Sequence, residues 1–456
     1  MHHADTWKER LRLFLKIIWP IMITQLGMYA LNLSDTIMSG RVSEDDLAGV
    51  AIGSSLWLPI MAGINGILMA VSPIVAQLMG GDRKEKITGA IHQSLYVSVA
   101  IAIIVAAAGA ALLKPVIGWM ELGEQVRHVA TYYLIALAAG IIPMFAANVF
   151  RYFFDALGLT RISMIIILIA IPFNVALNYI FIFGKLGVPE LGGIGAGYAT
   201  AATYWIILFV SIGMVFRVQA LRGFRLFASW ARPSLRAWRD ILGIGIPIGF
   251  SIFFEVSIFA FVTLLMGKMF STMTVAAHQI ALSFSTLIFM VPLSISMGLT
   301  ILVGYSFGGG RLKAARKYSL LGIGLGVLYM MLCAMVLLLF REQIALLYNG
   351  DEELAVLAAE FMVVSIFYQL SDVLQSSMLG ILRGYKDVRI PFFIALTAYW
   401  IIGIPSGYLL AEYSEFGPYG LWIGIIIGLT AAAIGFFVRL RIVQDKVNRG
   451  LLTAGD

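Results

Sequence analysis

The chain has 456 residues, of which 60% are hydrophobic and only 12% are charged, and its mean hydropathy is +0.92. A soluble domain carries about 25% charged residues, so this composition excludes an ordinary water-soluble protein and indicates a chain that is solvated mostly by lipid. The net charge of +7 does not indicate nucleic-acid binding, because the basic residues are spread over loops between apolar segments.

Long apolar segments follow one another along almost the whole chain. A membrane-spanning helix needs about 20 apolar residues, and continuous hydrophobic runs indicate helices rather than barrel strands. We therefore predict an all-α, polytopic membrane protein. Its twelve transmembrane helices are expected near 17–39, 47–79, 88–113, 128–150, 162–183, 194–217, 240–268, 273–307, 318–340, 354–380, 390–411 and 419–438.

The twelve segments form two halves that repeat the same landmarks in the same order. Pro247 at the start of segment seven follows Pro20 of segment one by 227 positions, and Gly80-Gly81-Asp82-Arg83 returns as Gly308-Gly309-Gly310-Arg311. Each half has an even number of spans, so both halves enter the membrane in the same orientation. We predict two six-helix lobes related by a pseudo-two-fold axis along the membrane normal. The N-lobe is 1–217, a cytoplasmic linker is 218–239, and the C-lobe is 240–456.

The basic residues are distributed unequally between the two sides of the predicted helices. With Lys8 inside, 26 of the 32 Lys and Arg residues fall in loops on that side. Such a bias marks the cytoplasmic side, so we expect a cell-membrane protein with both termini in the cytoplasm and contacts with anionic lipids. The N-terminal stretch before the first span is polar, and no cleavable signal peptide is predicted.

Three acids lie well inside predicted spans: Asp35 in segment one, Glu255 in segment seven and Asp372 in segment ten. A charged side chain at the bilayer centre costs about 2.5–3.5 kcal/mol or more, and no Lys or Arg lies well inside a span to pair with these acids. Each acid is therefore expected to bind an exchangeable cation, to carry a proton or to face water. A protonated carboxyl that hydrogen-bonds between helices is the structural alternative.

Two further acids lie nearer the ends of spans, where a structural role is favoured. Glu360 is close to the outer end of segment ten and is expected to reach water. Asp155 lies near the cytoplasmic end of segment four, and we predict a local ion pair with Arg151 or Arg161.

Amide and hydroxyl groups also lie in the apolar segments. Asn174 and Asn178 are four residues apart on segment five and hence on one helical face, and Thr200 lies on segment six. Their oxygens could coordinate a hard cation such as Na⁺, hydrogen-bond a carboxylic acid, or simply join helices. His278 is expected to be a packed histidine. The candidate substrate-binding residues are Asp35, Gln279, Tyr368, Gln369 and Asp372.

The twelve spans in two halves, the Pro near the start of segments one and seven, and Asn-Leu-Ser-Asp at 32–35 resemble the multidrug and toxic compound extrusion (MATE) family. Glu255, Val-Ala-Ala-His-Gln at 275–279 and Asp372 resemble its NorM branch in particular. The resemblance implies two lobes in a V-shaped arrangement that export organic cations and drugs in exchange for Na⁺ or H⁺.

The resemblance also implies which residues of this chain bind the coupling cation. It implies an N-lobe cation network of Asp35, Asn174, Asn178 and Thr200, and a C-lobe network of Glu255 and Asp372, which are also the candidate Na⁺ ligands. The DinF branch of the family carries an Asp on segment five where this chain has Asn178. Asp35 is therefore the only acid of the predicted N-lobe network.

The sequence thus predicts a secondary-active efflux antiporter that exports organic cations and amphiphilic drugs in exchange for Na⁺ or H⁺. It predicts no enzyme and no cofactor, because phosphate-binding and metalloprotease motifs are missing and Cys333 is the single cysteine. The alternative is a lipid-linked oligosaccharide flippase, which should carry mid-span Arg or Lys residues for pyrophosphate. We expect a monomer whose partners are small-molecule drugs and membrane lipids, without nucleic acid.

Overall fold

The computed structural model describes residues 4–348 and 350–454, which form sixteen α-helices and one π-helix without a β-strand. Eleven helices of this part of the chain are long and apolar enough to cross a membrane. A bent helix pair adds a twelfth crossing if it is counted as one span. The prediction of an all-α protein with twelve spans is therefore confirmed.

The first half of the chain forms nine helices. The fourth predicted span is the bent pair α5 and α6, whose axes meet at 53°. The bounds are α1 Trp7–Gly40, α2 Glu44–Leu68, α3 Val71–Gly80, α4 Glu85–Trp119, α5 Glu124–Ala138, α6 Ile141–Ala156, α7 Thr160–Phe183, α8 Gly193–Arg217 and α9 Gln219–Arg222.

The second half has longer, less interrupted helices. Its fifth span contains a seven-residue π-helix between α14 and α15. The bounds are α10 Leu235–Met269, α11 Thr272–Gly308, α12 Leu312–Tyr348, α13 Glu352–Gly384, α14 Arg389–Leu396, the π-helix Thr397–Gly403, α15 Ile404–Tyr413 and α16 Pro418–Asn448.

Contacts within the chain define two compact units. The first unit runs from Trp19 to Gly249, and the second comprises the residues up to Ile18 together with those from Phe250 onward. The division therefore falls inside α1 and α10, close to the repeated prolines Pro20 and Pro247. The first unit includes the predicted linker 218–239.

This segment, 218–239, packs against α4 in the first unit. The buried imidazole of His92 on α4 bonds the Leu226 carbonyl through Nε2 at 2.6 Å and accepts the Ala231 N–H through Nδ1 at 3.2 Å. Its ring stacks on Trp230 at a centroid distance of 4.6 Å.

The next residue of α4 also holds this segment. Gln93 accepts hydrogen bonds from the Ser234 N–H and from the Trp238 indole. The segment is thus an ordered part of the first unit rather than a free tether.

Proline explains where the span made of α5 and α6 bends. Pro143 has no N–H, so the Ala139 carbonyl four residues earlier loses its helical partner. α5 ends at Ala138, and the indole of Trp205 on α8 donates to the Ala139 oxygen at 3.1 Å. A Cβ on Gly140 would lie 2.6 Å from the Cα of Ala201, so the close approach of the bend to α8 requires a residue without a side chain.

Pro292 lies inside α11 of the second unit, yet this helix is continuous from Thr272 to Gly308. The carbonyl that Pro292 leaves without a helical donor is that of Ile288. The hydroxyl of Tyr329 on α12 donates to it at 3.2 Å. A neighbouring helix therefore satisfies the freed backbone group, as a membrane environment requires.

A buried core in the first unit places α1 beside α7 and α8. Its members come from four helices and are Val50, Val129, Tyr133, Leu137, Ile182 and Ala196, with Met38 of α1 packed against them. Asp46 near the start of α2 accepts the Gly193 N–H at 2.6 Å and so holds the beginning of α8. These contacts bring the polar face of α8 to the C-terminal turns of α1.

Small residues bring α15 and α16 into close contact in the second unit. A Cβ on Gly424 would lie 2.3 Å from the Cα of Gly407, so the two backbones touch at this point. Close approach through glycines is a common way for transmembrane helices to associate. The contact fixes α15 and the adjoining π-helix against α16.

Candidate functional site

The first buried polar network is centred on Asp35, which is 3% exposed. Asn178 of α7 donates its amide hydrogen to Asp35 Oδ1 at 2.8 Å, and Asn174 donates to the same oxygen at a long 3.5 Å. The hydroxyl of Thr200 on α8 donates to Asp35 Oδ2. The structure therefore brings together the four residues of the predicted N-lobe network.

The amides of this network are linked to each other and to further hydroxyls. Asn178 Nδ2 contacts Asn174 Oδ1 at 3.2 Å and Ser34 Oγ at 3.3 Å, and Asn174 Nδ2 contacts Thr203 Oγ1 at 3.3 Å. The Asn178 Oδ1 atom is buried and accepts no hydrogen bond from the described residues. A free amide oxygen beside a carboxylate is an arrangement that suits a hard cation.

Thr203 also belongs to this network, and it was not predicted from the sequence. It lies three residues after Thr200, and residues with this spacing share a face of a helix. The spacing alone could have identified it.

The second network contains Glu255, Asp372 and Gln375. The Gln375 Nε2 atom lies 2.8 Å from Asp372 Oδ1 and 3.2 Å from Glu255 Oε1, so one amide donates to both acids. The hydroxyl of Tyr399 in the π-helix donates to Gln375 Oε1 at 2.8 Å. Asp372 is buried and Glu255 is half-buried.

Gln375 and Tyr399 were not identified from the sequence. Gln375 could have been found, because it lies three residues after Asp372 on α13 and therefore shares its helical face. Tyr399 could not, since its contact with Gln375 depends on how the π-helix packs against α13.

The candidate Na⁺ ligands Glu255 and Asp372 are therefore bridged by an amide in this structure. Within the described residues, no group of three or more His, Cys, Asp and Glu residues could hold a metal ion. A monovalent ion at this place would rely on the two carboxylates and on neutral oxygens.

The other predicted substrate residues occupy different environments. Tyr368 is buried, and its ring packs edge-on against Trp422 and Phe259 at centroid distances of 5.9 and 5.7 Å. Gln369 is buried and donates through Nε2 to Ser285 and Ser365, both at 3.2 Å. Gln279 is exposed, and its amide lies 3.5 Å from Thr263 Oγ1. Tyr368 also hydrogen-bonds with Asp372, so two of the candidate substrate residues meet, whereas Gln279 and Gln369 have other partners.

His278 is a packed histidine with both ring nitrogens engaged. An indole N–H can only donate, so Trp422 Nε1, at 3.0 Å, makes His278 Nδ1 an acceptor. His278 Nε2 then donates to Thr263 Oγ1 at 2.8 Å, and Thr263 donates to the Phe259 carbonyl at 2.9 Å. The ring is thus neutral and fully hydrogen-bonded.

Asp155 does not form the predicted direct ion pair, although the Arg151 guanidinium attracts its carboxylate through space. The Ser163 hydroxyl donates to Asp155 Oδ1 at 2.7 Å, and none of the ion pairs among residues 4–348 and 350–454 includes Asp155. Arg151 instead contacts Met28 Sδ at 2.6 Å and the Tyr152 hydroxyl at 2.9 Å. Arg161 lies over the ring of Trp19. Proximity in sequence did not predict these partners, because the side chains point to other helices.

The fold and the sequence together define the class of this protein. The MatE family model matches residues 20–180 and 247–409, once in each half of the chain, and the two matches begin at Pro20 and Pro247. The chain therefore belongs to the MATE family, as its motifs indicated.

Its relatives lie in the NorM branch. The chain is 48% identical over 449 residues to a probable multidrug resistance protein NorM of Halalkalibacterium halodurans, covering 98% of each chain. It is 48% identical over 446 residues to the protein of the same name from Oceanobacillus iheyensis, covering 98% of this chain and all of that one.

Solved MATE structures share the fold. A crystal structure of a MATE protein in a bent conformation superposes with a TM-score of 0.87 over 97% of both chains, at 20% identity. The structure of a eukaryotic MATE transporter gives a TM-score of 0.82 at 21% identity, covering 97% of this chain and 100% of the other.

Proposed function

We propose that this protein is a secondary-active efflux antiporter that exports organic cations and amphiphilic drugs in exchange for Na⁺ or H⁺. The relatives at 48% identity bear the name of multidrug resistance proteins. Drug export from the cell is the function that this name and the membrane-spanning fold support together. The exchange for a cation is supported by the chemistry of the two buried networks.

The observation that carries the proposal is the set of partners around the acids inside the spans. Asp35, Glu255 and Asp372 accept hydrogen bonds from amides and hydroxyls. Three ion pairs of the described residues, Lys84–Asp82, Arg439–Asp387 and Arg449–Asp445, involve none of these acids. Acids with neutral partners in a lipid environment are suited to take up and release a mobile cation.

A basic residue acts electrostatically on the second network. Arg383, buried in the last turn of α13, attracts the Glu255 carboxylate through space. The two acids themselves are bridged by Gln375. The acidic character of the network suits a cation better than the pyrophosphate of a lipid-linked sugar.

The apolar surroundings suit amphiphilic substrates. Phe361, Tyr368 and Trp422 of the second unit form a cluster of aromatic rings with centroid separations of about 6 Å. Aromatic faces attract organic cations, and this attraction strengthens when water is excluded. We therefore assign cation recognition to the buried acids together with nearby aromatic side chains.

The test is drug export from everted membrane vesicles, with Na⁺ and pH gradients imposed separately. Wild-type protein should export a fluorescent organic cation in response to at least one gradient. Glu255→Gln and Asp372→Asn should abolish this export while the protein still inserts into the membrane. Wild-type rates in both well-expressed variants would contradict the assignment of these acids to coupling.

We also propose that both termini and residues 218–239 face the cytoplasm, that the protein works as a monomer, and that its basic loops contact anionic lipids. A single cysteine at the exposed Ser229, in a Cys333→Ala background, should resist membrane-impermeant thiol reagents in intact cells. Ready labelling from outside would reverse the orientation.

A further inference from the structure

The amide nitrogen of Gln375 lies between the two acids of the second unit, 2.8 Å from Asp372 Oδ1 and 3.2 Å from Glu255 Oε1. A glutamine NH₂ group has two hydrogens, so each carboxylate receives one of them. The amide therefore lies where a monovalent cation would attract both carboxylate oxygens. An ion can bind both acids only if this amide gives way.

The hydrogen bond at the oxygen end of the Gln375 amide is compatible with two orientations of the amide. Tyr399 donates its hydroxyl hydrogen to Gln375 Oε1 at 2.8 Å. A phenol can donate or accept, and the terminal torsion of glutamine is roughly two-fold. If the amide turned over, the same hydroxyl would accept from Nε2, and Oε1 would face the acids.

Each orientation of the amide fits one occupancy of the site. With NH₂ toward the acids, Gln375 stabilises the ion-free pair of carboxylates. With oxygen toward the acids, it would repel them unless a cation lay between, and it would then add a third oxygen ligand, which Na⁺ prefers. Tyr399 keeps a hydrogen bond in both orientations. Its place in a π-helix is consistent with this role, since such segments often occur at functional sites.

We propose that Gln375 is a switchable ligand that determines ion selectivity in the second unit, with Tyr399 as its positioning residue. The inference rests on the proposed function of Glu255 and Asp372 as coupling acids. Na⁺ binding uses the turned amide as a ligand, whereas a proton on either acid needs no oxygen ligand. Loss of the amide should therefore weaken Na⁺ binding and strengthen proton binding. Tyr368, which hydrogen-bonds with Asp372, and Arg383, which attracts Glu255, are retained in the variant.

The experiment uses purified full-length protein in lipid nanodiscs with a bound fluorescent organic cation, ethidium. Ethidium release is titrated with Na⁺ at high pH and, separately, with protons in Na⁺-free buffer. In Gln375→Met the Na⁺ midpoint, which is the Na⁺ concentration that releases half of the bound ethidium, should rise about tenfold. This change corresponds to a loss of about 1.4 kcal/mol in Na⁺ binding. The pH at which protons release ethidium should rise by about one unit, because the ion-free pair has lost a donor.

Tyr399→Phe should shift only the Na⁺ midpoint, by about threefold, because the amide is retained but less well positioned. The matched controls are Ser376→Ala and Tyr329→Phe. Ser376 follows Gln375 on α13 and donates to the Val373 carbonyl, and Tyr329 donates to the Ile288 carbonyl. Both controls should keep wild-type midpoints for the two ions.

Opposite shifts for Na⁺ and H⁺ in Gln375→Met support the switch. Unchanged midpoints, or shifts in which both ions bind more weakly or both more tightly, overturn it while leaving the coupling acids intact. If Gln375→Met fails to bind ethidium, the Na⁺ titration of Tyr399→Phe tests the inference instead. An unchanged Na⁺ midpoint in Tyr399→Phe overturns the inference. Wild-type protein that releases ethidium in response to neither ion overturns the coupling function and the inference together.

Discussion

The two units hold their membrane-embedded acids in different ways. Asp35 of the first unit receives donors from α7 and α8, and among the described residues no second acid shares these donors. Glu255 and Asp372 of the second unit lie on α10 and α13 and share the amide of Gln375. The first network contains a carboxylate with several neutral oxygens, and the second contains two carboxylates with one shared amide.

The acids are not part of the internal repeat. The position 227 residues after Asp35 is Val262, and the positions 227 residues before Glu255 and Asp372 are Met28 and Phe145. The prolines Pro20 and Pro247 and the glycines of the loops repeat, whereas these three acids do not. The duplicated scaffold therefore carries two different polar sites, and each is expected to respond to ions in its own way.

The largest expected effect separates the two networks. Asp35→Asn should reduce coupled export to the background rate, because the network of Asp35, Asn174, Asn178 and Thr200 then has no acid to charge and discharge. Sodium titration of the same variant by calorimetry should still report binding at Glu255 and Asp372. Export by Asp35→Asn with unchanged dependence on Na⁺ and pH would show that Asp35 is structural.

The next effect concerns the scaffold of the second network. Gly424→Val should destabilise the protein by about 3 kcal/mol, since the new side chain would collide with the backbone of α15. Thermal unfolding in detergent measures this loss. Gly324→Val on α12 is the control, because no atom lies within 4 Å of an added Cβ there. Equal stability of the two variants would contradict the close packing of α15 and α16.

Asn178→Ala tests whether the first network binds Na⁺ or a proton. The variant removes the 2.8 Å donor to Asp35 and the unpaired buried oxygen. If Na⁺ binds there, the Na⁺ midpoint for export should rise about threefold to tenfold, because a neutral ligand is lost. If a proton binds, the pH profile should move instead. Export that changes in neither titration would exclude Asn178 from the coupling site.

The smallest effect compares how the two units satisfy carbonyls that proline leaves free. Trp205→Phe removes the donor to Ala139, and Tyr329→Phe removes the donor to Ile288. Each should lower the unfolding free energy by about 0.6–1.7 kcal/mol, the range of hydrogen bonds between transmembrane helices. Unfolding curves in detergent check both values. No loss in either variant would show that water satisfies these carbonyls.

Much of the first network could be predicted from the sequence. Asp35, Asn174, Asn178 and Thr200 are polar residues in apolar helices, and a polar side chain that cannot face lipid must meet another polar group. The four-residue spacing of the asparagines placed them on one face, and the structure joins them to Asp35. Thr203 was missed, although the same spacing rule applies to it.

The second network could be predicted from the sequence only in part. Glu255 and Asp372 were identified by the cost of a charge in lipid, but the residue between them was not. A glutamine in a helix is commonly a plain link between helices, and only the packing of α10 against α13 shows that Gln375 meets both acids. Gln279, which was predicted to bind substrate, is exposed, and its amide contacts Thr263 rather than an acid.

The sequence by itself determined the membrane environment, the number and order of the spans, the duplication and the positions of the buried acids. These properties follow from hydrophobic length, repeated landmarks and the cost of charge in lipid, all of which are local along the chain. Only the tertiary structure decided the partner of each polar group: Ser163 for Asp155, Gln375 for the two acids of the second unit, and Tyr399 for Gln375. Hydrogen bonds depend on the distance and direction of atoms from different helices, which the order of residues does not specify.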